Sequence, residues 1–206
     1  MTEDTDFALV RRCQSDEPEV FEPAFGELYE KYADRVFNTS FRVVSNAADA
    51  ADVTQEVFLT IFKKIAEFQF SSRLFTWIYR ITVNLSIDRR RRGQSMPTVL
   101  VESGVESGVL NSLPDERIGS PEDWADQQFL SEKVQASINR LSPKLRATVT
   151  LRYIEGLSYG DIAEVMECSI GTVKSRLNRA HGNLEELLQP VVDVLAGRDE
   201  DERSKQ

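Results

Sequence analysis

The amino-acid sequence predicts an all-α chain: two small helical domains joined by a flexible acidic linker. Three observations carry that expectation. Apolar residues recur at spacings of three and four on both sides of the middle of the chain. No run of β-branched residues alternates with polar ones as a half-buried strand would. Between the periodic stretches, residues 93 to 122 hold four Gly, five Ser and three Pro, with the tandem Val101-Glu102-Ser103-Gly104 and Val105-Glu106-Ser107-Gly108. Such a segment buries too little apolar surface to offset its ordering entropy. The 206 residues, 41% of them hydrophobic, suffice for one or two modest cores. The boundaries that follow are a first domain over 7–92, the linker over 93–126, a second domain over 127–189 and an acidic tail over 190–206.

In the first domain, Phe21, Phe25, Leu28, Tyr32, Val36 and Phe37 fall at helical spacing within residues 7 to 45. A helix expected over 49–66 turns Val53, Val57, Ile61 and Ile65 inward and leaves Asp52, Gln55, Glu56, Leu59 and Lys63 on the other side. An exposed Leu among carboxylates fits a docking surface, and it equally fits a solvated face with one stray Leu. A further helix over 74–92 sends Leu74, Ile78, Ile81 and Leu85 inward. Trp77, Arg80, Asn84, Asp88 and Arg91 share another face, which ends in Arg89-Arg90-Arg91-Arg92. Phe70, Ser71, Ser72 and Arg73 form the loop before it. Trp stacks on unpaired bases, worth about 1 to 3 kcal/mol per base, while Arg tracks a phosphate backbone. The alternative is a core Trp, with arginines favoured at a helix end by the macrodipole.

In the second domain, residues 158 to 179 read as helix, tight turn, helix. Ser158 with Asp161, and Ser169 with Thr172, place a side-chain oxygen at each helix start, where free backbone N–H groups need an acceptor. Two starts eleven residues apart leave room only for a short turn. Ile170, Val173, Leu177, Ala180, Leu184 and Leu187 make one apolar stripe. Opposite lie Gly171, Thr172, Ser175, Asn178, Arg179 and Gly182, with Lys174 and Arg176 on the flanks and no carboxylate before Glu185. Small, neutral and basic groups are what a helix needs in a major groove: close approach, donors for base edges and cations for phosphates. The bland alternative is the solvated face of an ordinary helical hairpin.

The formal net charge of −9 argues at first against nucleic acid, but the charge is unevenly placed. Residues 73 to 92 carry six basic and one acidic group, and residues 140 to 181 carry seven and four. By contrast, residues 1 to 34 carry three and ten, 93 to 126 one and seven, and 182 to 206 three and seven. The two positive islands coincide with the two helices expected to meet DNA, and attraction to phosphate follows local cationic surface. Cys13 and Cys168 show no CxxC spacing, so neither a disulfide framework nor a metal site is expected; free thiols fit a reducing cytoplasm. No basic leader or bilayer-length apolar run is present, so no membrane insertion is expected.

These residues carry a family resemblance. Asp52-Val-Thr-Gln55-Glu56-Val-Phe58 resembles the DxxQExF segment of bacterial sigma factors of the extracytoplasmic-function (ECF) group, in the sigma-70 family. Phe75-Thr-Trp77-Ile-Tyr79-Arg80-Ile81 with Asn84 is similar to their promoter-melting helix. Gly156-Leu-Ser-Tyr-Gly-Asp-Ile-Ala163 and Gly171-Thr-Val-Lys174-Ser175-Arg176-Leu-Asn-Arg179-Ala180 are similar to their C-terminal helix-turn-helix. The resemblance implies a sigma-2-like domain over 7–92 and a sigma-4-like domain over 127–189. It implies core RNA polymerase as partner, with Asp52, Gln55, Glu56, Phe58 and Leu59 docking on the clamp helices of the beta-prime subunit. It implies promoter DNA as the second partner. Thr172, Lys174, Ser175, Arg176, Asn178 and Arg179 would read the −35 duplex, and Phe70, Ser71, Ser72, Arg73, Trp77, Arg80 and Asn84 the melted −10 strand. Control by an anti-sigma factor is implied as well. The chain departs from the family at Phe70 and Ser71, where Gly and an acidic residue are common, and at His181, where Arg is common.

No cofactor and no enzymatic activity are expected: one His, no P-loop, no GxGxxG and no metal-ligand cluster leave no catalytic constellation. Two rival classes share some of these features. A conventional helix-turn-helix regulator would use residues 158 to 181 but not the 49–66 docking helix. A metal-dependent nuclease would need Asp49, Asp52 and Glu56 as a cleft, whereas they lie on a helix surface.

Overall fold

The computed structural model describes residues 2–95 and 121–203, with side chains for 6–93 and 130–192; residues 96–120 of the expected linker lie outside the described residues. The described residues form eight α-helices and no strand: α1 (Thr2–Cys13), α2 (Pro18–Val44), α3 (Ala47–Lys64), α4 (Leu74–Ser95), α5 (Pro121–Arg140), α6 (Pro143–Val149), α7 (Tyr159–Val165) and α8 (Ile170–Arg203). A 3₁₀ turn (Ile65–Glu67) extends α3 and a π-turn (Thr150–Ile154) extends α6. The ends of the expected linker are helical, since α4 continues to Ser95 and α5 starts at Pro121. Likewise α8 runs on through Pro190 to Arg203, across most of the expected acidic tail.

Local chemistry explains the boundaries. Pro18 occupies the first turn of α2, where its fixed φ suits the helix and its missing N–H costs nothing. α2 stops at Ser45, whose left-handed φ of 61° closes the helix with a bond from its N–H to the Phe41 carbonyl at 2.7 Å. One residue on, the Asn46 side chain accepts the Asp49 N–H and starts α3. The π-turn ends where Gly156 takes φ 68°, a conformation glycine adopts without strain, and the Leu157 N–H reaches back to the Leu151 carbonyl at 3.0 Å.

α1 to α4 enclose a first core. Leu28, Tyr32 and Val36 of α2 meet Val53, Val57 and Ile61 of α3 and Leu74, Trp77 and Ile78 of α4, with Leu9, Val10 and Cys13 of α1 closing one side. Each fully buried Leu, Ile or Val contributes about 1.5–3 kcal/mol. The inward set expected for α3 is observed. For α4 the expectation of one apolar stripe and one open face is corrected: Trp77 is only 8% exposed and packs on Phe68, ring centroids 5.1 Å apart. A second α4 stripe, Tyr79, Val83 and Ile87, is also buried, because the C-terminal half covers it.

That covering creates a second core, built from Val43 and the Tyr79 stripe together with Leu141, Ala147, Leu151, Ile162, Val173 and Leu177. The two halves of the chain therefore share an interior. Polar groups stitch the same seam. Arg146 of α6 is fully buried: its guanidinium donates to the Val43 carbonyl at 2.9 Å and to Ser45 Oγ at 2.7 Å, and also to the Ile138, Asn139 and Leu141 carbonyls at the end of α5. Burial, with a smaller push from Arg90, brings Arg146 down to about 10, so it stays charged at neutral pH. Glu155, at the end of the π-turn, accepts from Thr39 Oγ1 at 2.9 Å and from the Tyr79 hydroxyl, with Arg35 Nη2 at 3.5 Å.

Two outcomes test this packing. Trp77→Ala should cost about 3–5 kcal/mol in urea denaturation, the usual loss for a buried aromatic; a loss below about 1 kcal/mol would mean that the ring does not sit in the core. Both cysteines are free, and burial pushes the Cys13 thiol up to about 11. Native protein at pH 8 should therefore be alkylated at the half-buried Cys168 well before Cys13, as peptide mapping would resolve.

Candidate nucleic-acid interface

The helix-turn-helix forms as its caps require. Ser158 Oγ accepts the Asp161 N–H at 3.1 Å while the Asp161 carboxylate accepts the Ser158 N–H at 3.2 Å, a reciprocal capping box. Ser169 Oγ accepts the Thr172 N–H at 3.1 Å and opens α8. In the turn between them Glu167 holds a left-handed φ of 48°, strained for a side chain with a Cβ. Val173, Leu177 and Ala180 are buried against Ile162, Ala163 and Val165. Ile170 departs from the expected stripe: 49% exposed, it stands at the first turn of α8, beyond the reach of α7.

The face opposite the stripe is open. Lys174, Ser175, Asn178 and Arg179 are all exposed, and Thr172 is half-buried beside its cap. The Arg179 guanidinium donates to Ser175 Oγ at 2.9 Å, which orients it along the helix. Arg176 differs from these: half-buried, it turns inward toward Met166 and Cys168, each sulfur 3.6 Å from Nη1. His181, on the same outer side, shares a 2.7 Å hydrogen bond with the Tyr153 hydroxyl.

The candidate −10 residues divide into three groups. Phe70 takes a left-handed φ of 55°, a conformation that favours glycine, and a conformation of this kind costs about 1–2 kcal/mol for an L side chain. Its ring is held by Phe7 (4.7 Å), Phe68 (5.2 Å) and the Arg11 guanidinium (5.1 Å), and aromatic pairs contribute about 0.5–1.5 kcal/mol each. Phe70 is thus built into the bundle, as is Trp77. Ser71, Arg73 and Asn84 are exposed, and Ser72 and Arg80 are half-buried. Arg73 Nη1 lies 3.7 Å from Asp161 and Arg80 Nη1 3.5 Å from Glu167, so both cations face carboxylates of the helix-turn-helix. The terminal arginines are partly engaged too. Arg90 donates to the Val44 carbonyl at 2.9 Å, and Arg89 bridges Asp49 and Asp52, each at 2.7 Å.

On α3, Asp52, Gln55, Glu56 and Leu59 are exposed as expected, with Leu59 52% exposed. Phe58 instead turns into the core edge, 4.6 Å from the Tyr29 ring. Beside this face runs a groove of about 630 Å³ between α2 and α3, lined by Phe25, Tyr29, Phe37, Phe58, Leu59 and Phe62. Phe62 and Tyr29 were missed by the sequence reading. The signal was present for Phe62, which lies three residues after Leu59 and so shares its outward side. Among the described residues no cluster of three metal-ligating side chains forms, and no helix is long and apolar enough to cross a membrane.

Comparison with known proteins fits this layout. The family model described as Sigma-70 region 2 matches residues 28–96, and that described as Sigma-70 region 4 matches residues 131–181. The chain is 36% identical over 191 residues to the ECF RNA polymerase sigma-E factor of Haemophilus influenzae, covering 91% of this chain and 97% of that protein. It is 34% identical to the RNA polymerase sigma-H factor of Pseudomonas aeruginosa, covering 93% and 98%. Among solved structures, CnrH in complex with the cytosolic domain of CnrY shares the fold, with a TM-score of 0.63, 21% identity and coverage of 91% and 99%. The sigma factor RpoE bound to the anti-sigma factor NepR from Bartonella quintana gives a TM-score of 0.60 at 26% identity, covering 80% and 96%. With both conserved regions in order and relatives matched over nearly their whole length, the chain belongs to the ECF subfamily of the sigma-70 family of bacterial RNA polymerase sigma factors.

Proposed function

We propose that this sigma factor docks on the beta-prime clamp helices of core RNA polymerase through the exposed side of α3, with Asp52, Gln55, Glu56 and Leu59 as contacts and the adjacent aromatic groove as the apolar seat. In the same reading α8 enters the major groove of the −35 element, while Ser71, Ser72, Arg73, Arg80 and Asn84 hold the melted −10 strand and Phe70 and Trp77 shape the surface that receives it. The polymerase supplies the chemistry. The observation that carries the reading is the α8 face. Lys174, Ser175, Asn178 and Arg179 stand exposed together on a helix whose other side is locked into a capped helix-turn-helix. Arg and Asn are the side chains that pair bidentately with guanine and adenine edges, and Lys and Ser suit phosphates.

Control by an anti-sigma factor is supported by the RpoE relative, solved with one. A conventional operator-binding regulator is a weaker reading, because it gives the α3 face and its groove no task. Nor do Asp49 and Asp52 favour a nuclease: they are bridged by Arg89 on an open helix surface rather than gathered in a cleft.

Reconstitution with bacterial core polymerase on genomic DNA, with sequencing of transcript 5′ ends, should yield starts preceded by one shared bipartite motif; failure to direct any starts would refute the reading. In run-off assays, Arg179→Ala should lower initiation at such a promoter by about 1–3 kcal/mol and relax selectivity at one −35 position. Unchanged selectivity would remove Arg179 from the set of base-reading residues.

A further inference from the structure

We infer that Tyr153 and His181 form a further DNA contact, a hydrogen-bonded pair at the far end of the reading helix that holds one backbone phosphate of the −35 duplex. The inference rests on the promoter reading proposed above and extends it to two residues outside the base-reading set.

Three observations carry it. The first is position. Lys174, Asn178 and His181 fall at i, i+4 and i+7 on α8 and all three are exposed, so His181 continues the open face of the helix. A recognition helix sets its N-terminal residues on base edges. At about 1.5 Å per residue His181 stands about 10 Å beyond Lys174, against a major groove about 12 Å wide, which brings it to the groove wall where phosphates line the rim. The next charged group along the helix is Glu185, one turn further on, and its carboxylate marks the end of the surface a phosphate tolerates.

The second is that the two side chains meet without a packing reason to do so. Tyr153, from the π-turn, is 57% exposed, and its hydroxyl lies 2.7 Å from His181 Nε2, with ring centroids 5.7 Å apart. Rings so open to water gain little from burial. The neighbouring cations are engaged elsewhere: Arg152 donates to the Leu157 carbonyl at 2.9 Å and lies over the Tyr159 ring, and Arg179 donates to Ser175. The pair thus fixes side chains from two separate elements at one spot on the outer surface.

The third is the number of donors. A neutral imidazole carries one N–H and one acceptor nitrogen, and a phenol carries one O–H. If the Tyr153 hydroxyl donates to Nε2, the Nδ1–H remains; if Nε2–H donates to the Tyr153 oxygen, the hydroxyl proton remains. Either tautomer leaves one oriented donor that the pair itself does not use, and phosphate oxygens are acceptors for such groups. Because the pair already holds that donor in place, it loses little entropy on meeting the phosphate. The contact positions α8 on the duplex and carries no base preference.

The test uses the full chain assembled with bacterial core polymerase and a promoter duplex taken from its mapped start sites, at fixed salt and about pH 8, above the ordinary imidazole range. Single methylphosphonate linkages, which remove the charge and one acceptor oxygen, are placed in turn along the −35 backbone. Binding is measured for wild type, Tyr153→Phe, His181→Ala and His181→Arg. One linkage should weaken wild type about three- to tenfold, as the loss of one hydrogen bond does, and should weaken Tyr153→Phe and His181→Ala by less than about 1.5-fold, the non-additivity of groups in contact. On the unmodified duplex both variants should bind about threefold or more weakly, equally whether or not one −35 base is changed. His181→Arg should keep the sensitive linkage and steepen the log–log salt dependence by about 0.9, one further counterion released. Helix content by circular dichroism checks folding, and Tyr153→Phe decides the matter should His181→Ala unfold. If no linkage loses its effect in the variants, or if their weakening depends on the −35 base changed, the pair does not hold a phosphate. A purely structural tie between the π-turn and α8 would lower the melting temperature of both variants and leave every linkage effect unchanged, which also overturns the inference. A wild type that directs no starts with core polymerase refutes the promoter reading and this contact with it, whereas mapped starts without a coupled linkage refute the contact alone.

Discussion

The rest of the structure depends on α4 being covered on two sides at once. Leu74, Trp77 and Ile78 belong to the N-terminal core, and Tyr79, Val83 and Ile87 to the core completed by the C-terminal half. A helix enclosed in this way has few places for polar atoms, and α4 solves the problem locally at two of its buried hydroxyls, while Thr76 Oγ1 has no hydrogen-bond partner among the described residues. Thr82 and Ser86 are fully buried, and each hydroxyl bonds back to the carbonyl four residues earlier, Ile78 and Thr82 respectively. Only the side bearing Asn84, Asp88, Arg91 and Arg92 is left to water. One element therefore sets where both halves sit, and of its open positions the −10 reading uses Asn84.

The seam also explains two buried charges that would otherwise be costly. Thr39, Tyr79 and Arg35 surround the Glu155 carboxylate, and burial first and the Glu155 hydrogen bond second hold the Tyr79 hydroxyl protonated well above the ordinary phenol range. Among the described residues, no carboxylate pairs with Arg146. Its donors are taken up by carbonyls and one hydroxyl at two helix ends, where backbone acceptors lack intrahelical partners. An apolar residue of similar volume would satisfy the core as well, but it would leave the Val43 carbonyl and Ser45 without that donor and would not fix the register of α6 against α2.

Much of this was legible in the residues because it follows from periodicity and capping, which are local. Val53, Val57 and Ile61 point inward at their i, i+4 spacing, and the Ser158 and Ser169 caps sit where their neighbours imply. What escaped was decided by partners remote in sequence. Tyr79, Val83 and Ile87 form a helical stripe as clear as any other, but α4 already had one inward face, and nothing local says that a second domain claims another. Arg146 and Glu155 carry no local signal of their place, since burial by a distant segment leaves no mark on composition. Trp77 is assigned by its sequence to the melted −10 strand, with the core as the alternative, and its side of the helix is settled by Phe68, nine residues earlier. Ile170 erred in the opposite direction, periodic yet beyond the last residue able to cover it.

Burial sorts the contacts across the seam into two kinds with different consequences. Arg73–Asp161 and Arg80–Glu167, at 3.7 and 3.5 Å, are solvent-facing pairs of a type worth about 0–1 kcal/mol, and salt or phosphate displaces them readily. Glu155, Arg146 and the apolar stripe are shielded from ions, so DNA cannot compete for them directly. A phosphate backbone arriving at the rim would exchange with two weak pairs and gain little purchase on the rest.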